Sequence, residues 1–157
     1  MKVYLVHHAL NFSKEEDPTR RLNEEGCAQA DRIGRRLKDA GAAPARILHS
    51  DKIWTRETAE RVAAIMGLEG NTAQAGYPIA TGDPVAPFIS EIRSSGGDIM
   101  MAGHFDYLTR TASHLLCGDE HIQIVEFKPG NGAVFCLEGA GEDWTLSFGW
   151  RQEHGPG

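Results

Sequence analysis

The chain reads as an α/β protein: a three-layer α/β/α sandwich with a mostly parallel central sheet and an antiparallel C-terminal meander. Three observations predict it. Short β-rich apolar runs alternate with helical patterns from the start of the chain to about residue 117. The first run and the Asp98–Ala102 run are nearly unbroken in apolar residues, as strands covered on both faces are. After residue 121 the pattern changes to strand, turn, strand.

Each element has its own signals. Lys2–His7 is the first strand, and a loop rich in charge and turn formers follows from Ala9 to Arg21. Asn23 opens a helix as its cap, with Glu24 and Glu25 in the first turn, where the helix dipole favours negative charge. Gly26, Ala30, Ile33, Leu37 and Ala40 recur at helical steps, and Gly41 stops them. Arg46–His49 is the second strand. Ser50 or Asp51 is expected to cap a second helix that turns Thr58, Val62, Ile65 and Met66 inward and closes at Gly67. Residues 71–78 give only an edge strand. Asp83-Pro84 is the expected start of a third helix carrying Val85, Phe88, Ile89 and Ile92, broken at Ser94-Ser95-Gly96-Gly97. Asp98–Ala102 is a buried strand, and a helix spans about Asp106–Cys117. The meander is expected over Ile122–Phe127, Ala133–Leu137 and Trp144–Trp150, with a turn at Lys128-Pro129-Gly130-Asn131-Gly132.

The 157 residues suit one domain, expected over 1–150, with a polar, frayed tail at 151–157. Hydrophobic residues make up 41% and charged residues 24%, which excludes a disordered chain. A net charge of −6 and a pI near 5.6 speak against a nucleic-acid-binding surface. No apolar run reaches the ~20 residues of a membrane span. The opening Met1–His8 is too short and too soon polar for a signal peptide. Cys27, Cys117 and Cys136 show no CxxC spacing and read as buried thiols of a reducing cytoplasm.

Candidate chemistry gathers at strand ends, where open α/β sheets bind ligands. His7 and His8 follow the first strand, His49-Ser50 the second, and His104 the Asp98–Ala102 strand. A helix N-terminus on that rim is an anion site, and Arg20 can reach it from the loop. This set suits phosphate chemistry: a neutral imidazole as nucleophile, a second as proton donor, and cations for the oxygens. A metal held by His7, His8, His49 and His104 is not expected, because no carboxylate or cysteine is spaced to complete the site. No cofactor is expected either.

Four segments resemble, in order and spacing, the histidine phosphatases of the phosphoglycerate-mutase-like superfamily, and most of all their SixA-type phosphohistidine phosphatase branch. They are Met1–Ala9, Asp17–Gly26, Leu48–Glu60 and Met101–Phe105. The resemblance puts His8 at the phosphorylated nucleophile, His104 at its partner histidine and Arg20 at a phosphate-binding arginine. Two positions depart from the pattern: the arginine beside the nucleophile is His7, and the arginine of the following helix is Trp54. A glycine after the nucleophile is Ala9, a change that matters only where the backbone needs positive φ. Phosphoryl transfer depends on stabilising three equatorial oxygens. Each charged hydrogen bond there is worth ~1.5–3 kcal/mol, so two lost arginines cost ~3–6 kcal/mol, roughly 10²- to 10⁴-fold in rate.

His7, as an imidazolium, is the expected partial replacement, although a regular strand would turn it away from His8. Trp54, Ser50 and Asp83 are the candidate pocket residues, and Asp83 or Glu91 the candidate general acid. The resemblance implies a phosphatase working through a phosphohistidine on His8, with reduced or altered activity. The alternative is a catalytically impaired module that binds a phosphorylated or anionic partner. A mutase or sugar-phosphate phosphatase fits least, since the chain is short and lacks that branch's insertions and acidic motif. The expected partner is a phosphorylated protein or a small phosphate-containing substrate, and the expected state a monomer or weak dimer.

Overall fold

The computed structural model describes residues 1–127 and 131–154. In chain order the elements are β1 (Lys2–His7), α1 (Glu24–Asp39), β2 (Arg46–His49), α2 (Ile53–Met66), β3 (Thr72–Gln74), α3 (Ala86–Ser94), β4 (Ile99–Gly103), α4 (Phe105–Cys117), β5 (Val134–Ala140) and β6 (Asp143–Trp150). The strands form one sheet in the order β3-β2-β4-β1-β5-β6. The first four in that order run parallel, and β5 and β6 are antiparallel additions.

Alternation along the buried strands builds two cores. On one face Val3, Leu5, Leu48, Ile99 and Met101 pack with Phe88 and Ile92 of α3 and Leu108 and Ala112 of α4. On the other, Tyr4, Val6, Ile47 and Met100 pack with Ile33 and Leu37 of α1 and Val62 of α2. Covering both faces forces the strands to be apolar throughout, which is why they read as unbroken runs. Asn23 caps α1 as expected, its Oδ1 accepting the Gly26 amide at 2.8 Å. Gly26 has a second duty: a Cβ there would lie 1.8 Å from the Leu10 carbonyl oxygen. The absent side chain lets the loop after His8 press onto α1.

Several expectations need correction. Residues 122–127 form no strand. Both edges of β1 are already taken by β4 and β5, so the run has no ladder to join there. It is held instead by Val125 and Phe127 inserted into the core, with Ile122 and Ile124 exposed. The meander is therefore a β5–β6 hairpin, and Lys128-Pro129-Gly130 of the expected turn lie outside the described residues. The α2 cap is Lys52, not Ser50 or Asp51, because the Ser50 hydroxyl is engaged elsewhere. In α2, Thr58 and Val62 are buried, but Ile65 and Met66 are only half-buried. The α3 helix starts at Ala86 with Pro87 in its first turn, and Asp83 accepts the Ala80 amide rather than capping it. Of the cysteines Cys136 is buried, Cys27 half-buried and Cys117 exposed. The tail is docked as far as residue 154: Gln152 bonds Arg32, the Gln29 carbonyl and the Gly132 carbonyl. No helix among the described residues is long and apolar enough to cross a membrane.

Candidate active site

Parallel register fixes the site. His7 of β1 lies opposite Gly103 of β4, and His49 of β2 opposite Ala102. The residues just past those ends, His8, Ser50 and His104, therefore emerge along one rim. The His8 and His104 ring centroids are 5.7 Å apart with planes at 67°. The two rings stand edge to face. Trp54, on the first turn of α2, closes the group at 6.2 Å from His8 and 6.5 Å from His104.

The His8 main chain is fastened from several sides. Its amide donates to the Gly103 carbonyl, and its carbonyl accepts Asn131 Nδ2 at 3.0 Å. The Gly132 amide is shared between the His7 and His8 carbonyls, at 3.2 Å to each. Gly132 holds φ 75°, a conformation that favours glycine. Ala9 keeps negative φ and gives its amide to Thr58 Oγ1, so alanine is accommodated after His8.

The His8 ring has a defined tautomer. Nδ1 lies 2.9 Å from the Ala9 carbonyl oxygen, which can only accept, and 3.4 Å from Asn131 Nδ2, which donates at shorter range to the His8 carbonyl; the shorter contact puts the proton on Nδ1 and the lone pair on Nε2. Burial, and then the neighbouring His7, push its pKa down to about 3, with His104 and Arg20 adding to the effect. His8 is thus a neutral imidazole among cations or potential cations. Burial also lowers His104, with Asp51 opposing the shift and Lys52 adding to it.

His7 does lie beside His8, with ring centroids 4.7 Å apart. It is 7% exposed and packs edge-on against Phe105 and Phe127, on the face opposite Trp54. Arg20 reaches the rim by another route. Its guanidinium carbon sits 4.6 Å over the Trp54 ring, and its φ of 57° is the positive value found at a non-glycine residue among those described. The turn that imposes this is built on Asp17, whose carbonyl accepts the Arg20 amide. The Asp17 carboxylate accepts the Thr19 amide and hydroxyl and Arg21 Nε. Thr19 first, and then Arg21, hold that carboxyl below the usual range.

Ser50 and Asp83 line a neighbouring cleft of about 490 Å³ together with Lys52, Gln74, Tyr77 and Ile79. Asp83 therefore shares a cleft with Ser50 that none of the histidines lines. Glu91 is no candidate acid: it pairs with Arg46 at the opposite end of β2 and accepts the Tyr77 hydroxyl. Sequence reasoning missed Lys52, Thr55, Thr58 and Asn131. Two of these sit a few residues into α2, where a Ser-x-x-x-x-Thr spacing was the available signal. Among the described residues no three His, Cys, Asp or Glu groups converge to hold a metal ion.

Residues 3–75 match the family model described as the histidine phosphatase superfamily (branch 1). No curated protein matches the chain significantly. Among solved structures it is similar to the protein histidine phosphatase SixA complexed with tungstate, with TM-score 0.75 and 18% identity over 95% of this chain and 96% of that one. It is similar to a protein of Agrobacterium tumefaciens assigned as phosphohistidine phosphatase SixA, with TM-score 0.72 and 20% identity over 96% and 97%. It is also similar to a mycobacterial glucosyl-3-phosphoglycerate phosphatase in complex with VO3, with TM-score 0.70 and 15% identity over 94% and 97%. Residues 3–75 thus carry the sequence pattern of the histidine phosphatase superfamily, and the fold along nearly the whole chain is similar to those of these three phosphatases.

Proposed function

We propose that the protein is a phosphatase that passes a phosphoryl group through a phosphohistidine on His8, and that its substrate carries the phosphoryl group on an imidazole nitrogen. The observation that carries this reading is the His8 ring: neutral, protonated on Nδ1, with the Nε2 lone pair available beside His104. A nucleophile needs that lone pair at working pH.

In the first step the His8 Nε2–phosphorus bond forms as the bond to the leaving nitrogen breaks. The leaving nitrogen keeps the bond's electron pair and its imidazole ends neutral. In the second step water attacks phosphorus, the His8 Nε2–phosphorus bond breaks with its pair returning to Nε2, and inorganic phosphate leaves. Water supplies, in net, the proton taken by the leaving group.

An imidazolyl leaving group suits the acids present. The candidate general acid Asp83 is tied to the Ala80 amide in the adjoining cleft, and an imidazole departs with less help than an alkoxide. Oxygen stabilisation falls to Arg20 on Trp54, to Lys52 beside His104 and to the histidines. With His7 and Trp54 where the family pattern has arginines, we expect a slow enzyme. The fold's relatives in complex with tungstate and with VO3 lend support, since both ligands are oxyanions.

A second reading draws on the same scarcity of guanidinium groups: a module that binds a phosphorylated partner without turning it over. The two separate on incubation with a phosphohistidine peptide and with p-nitrophenyl phosphate. The proposal expects phosphate release from the peptide, greater than from the aryl ester and abolished in His8→Asn. Binding of inorganic phosphate with no release from either compound favours the module.

A further inference from the structure

The Ser50 hydroxyl is buried and surrounded by partners whose roles can be worked out one by one. Ser50 Oγ accepts the Lys52 amide at 3.1 Å, lies 2.7 Å from Thr55 Oγ1 and lies 3.2 Å from His104 Nε2. Thr55 Oγ1 accepts the Ser50 amide at 3.1 Å and lies 2.8 Å from the Lys52 carbonyl oxygen. Thr55 is fully buried, so each of its protons and lone pairs must be satisfied within this group.

Two proton arrangements satisfy it. With a proton on His104 Nε2, that N–H donates to Ser50 Oγ, Ser50 donates to Thr55 Oγ1, and Thr55 donates to the Lys52 carbonyl. With Nε2 bare, the chain reverses: Thr55 donates to Ser50 and Ser50 donates to Nε2. The Lys52 carbonyl then gives up the Thr55 hydroxyl but still accepts the Thr55 and Arg56 amides, at 3.2 and 3.1 Å. No donor is stranded in either arrangement, and no heavy atom has to move.

We propose that Ser50 and Thr55 form a two-position hydroxyl switch that holds the His104 ring in one orientation whether or not its Nε2 carries a proton. Ser50 and Thr55 are positioning residues that act through His104. The use of this switch in catalysis rests on the phosphatase reading, in which the His104 ring has to keep its place beside His8 while the phosphoryl group is transferred. Its existence does not depend on that reading. The other titratable groups facing His104 are His8 at the end of β1 and Asp51 and Lys52 ahead of α2. None of them touches the Ser50–Thr55 pair through a side chain, so changing Thr55 isolates the switch.

The test is the His104 titration read by ¹⁵N-edited NMR in the unliganded full chain. Thr55→Val leaves Ser50 without an acceptor when it must receive the Nε2 proton, so the protonated ring is disfavoured. Its midpoint is expected to fall by about one pH unit, the effect of losing one hydrogen bond to a charged group. The neutral ring keeps a single tautomer, bare at Nε2, because Ser50 still donates to it. Ser50→Ala is expected to lower the midpoint as well but to yield a mixture of tautomers. Thr55→Ser restores the hydroxyl, keeps the fold where Val disturbs it, and returns the midpoint to that of the unaltered protein. An unchanged midpoint in Thr55→Val, or an equal shift in Thr55→Ser, overturns the proposal. The acid limb of the kcat profile should move with the NMR midpoint. If the midpoint moves as stated and the protein has no turnover, the switch stands and the phosphatase reading falls.

Discussion

The Arg20 guanidinium rests on the face of Trp54, its carbon 4.6 Å from the ring centroid. Trp54 thus serves as the platform for Arg20. A cation over an exposed aromatic face is worth ~0.5–1 kcal/mol. Trp54→Ala should therefore weaken inorganic phosphate binding about two- to fivefold by calorimetry. Trp54→Phe should keep most of the affinity.

Loss of the Asp17 carboxylate should release the turn that carries Arg20. Asp17→Ala is expected to raise KM several-fold with little change in kcat, whereas Asp17→Asn keeps an acceptor for Thr19 and should fall between. The carboxyl is held below its usual range, first by Thr19 and then by Arg21. Its contribution is in place above the ordinary carboxylate value and is lost as pH falls through the depressed one. Steady-state kinetics on the three proteins from neutral pH downward checks both points.

Burial of a neutral His8 has a consequence for stability. Its pKa falls from 6.5 to about 3 on folding, so the unfolded chain binds the extra proton between those values. The contribution is complete above pH 6.5 and is lost progressively as pH falls toward about 3. Urea unfolding at a series of pH values should show a shallower decline for His8→Asn than for the unaltered chain across that window. Equal slopes would contradict the assignment.

Much of this was legible in the sequence because strands covered on both faces must be apolar throughout. Their polar ends then stand out, and the structure brings three residues read that way, His8, Ser50 and His104, together at one rim. Arg20 could be proposed from its loop and from the resemblance, but its seat on Trp54 could not: stacking across a loop and a helix leaves no periodic trace. The 122–127 run failed because its alternation describes how Val125 and Phe127 enter the core, which a strand and an extended loop do equally well. Glu91 failed because spacing along α3 does not say which end of the sheet a side chain reaches. Asn131 and Thr55 act through backbone carbonyls and buried hydroxyls, and residue type alone carries no sign of those partners.

His7 offers a test of how far the rim tolerates an arginine at this position. Its ring is 7% exposed and sits edge-on to Phe105 and Phe127. A longer, permanently charged side chain has to displace those rings. His7→Arg should cost ~1–3 kcal/mol of stability, as overpacked cores do, read as a lower urea midpoint. No loss of stability would mean that the rim has room which the ring contacts do not reveal.

The central claim is that His8 carries the phosphoryl group. Brief exposure to radiolabelled acetyl phosphate, followed by an alkaline quench and peptide mapping, tests it most directly. The account predicts an acid-labile, base-stable label confined to the peptide containing His8 and absent from His8→Asn. Label on another residue, or none while phosphate is still released, would contradict it.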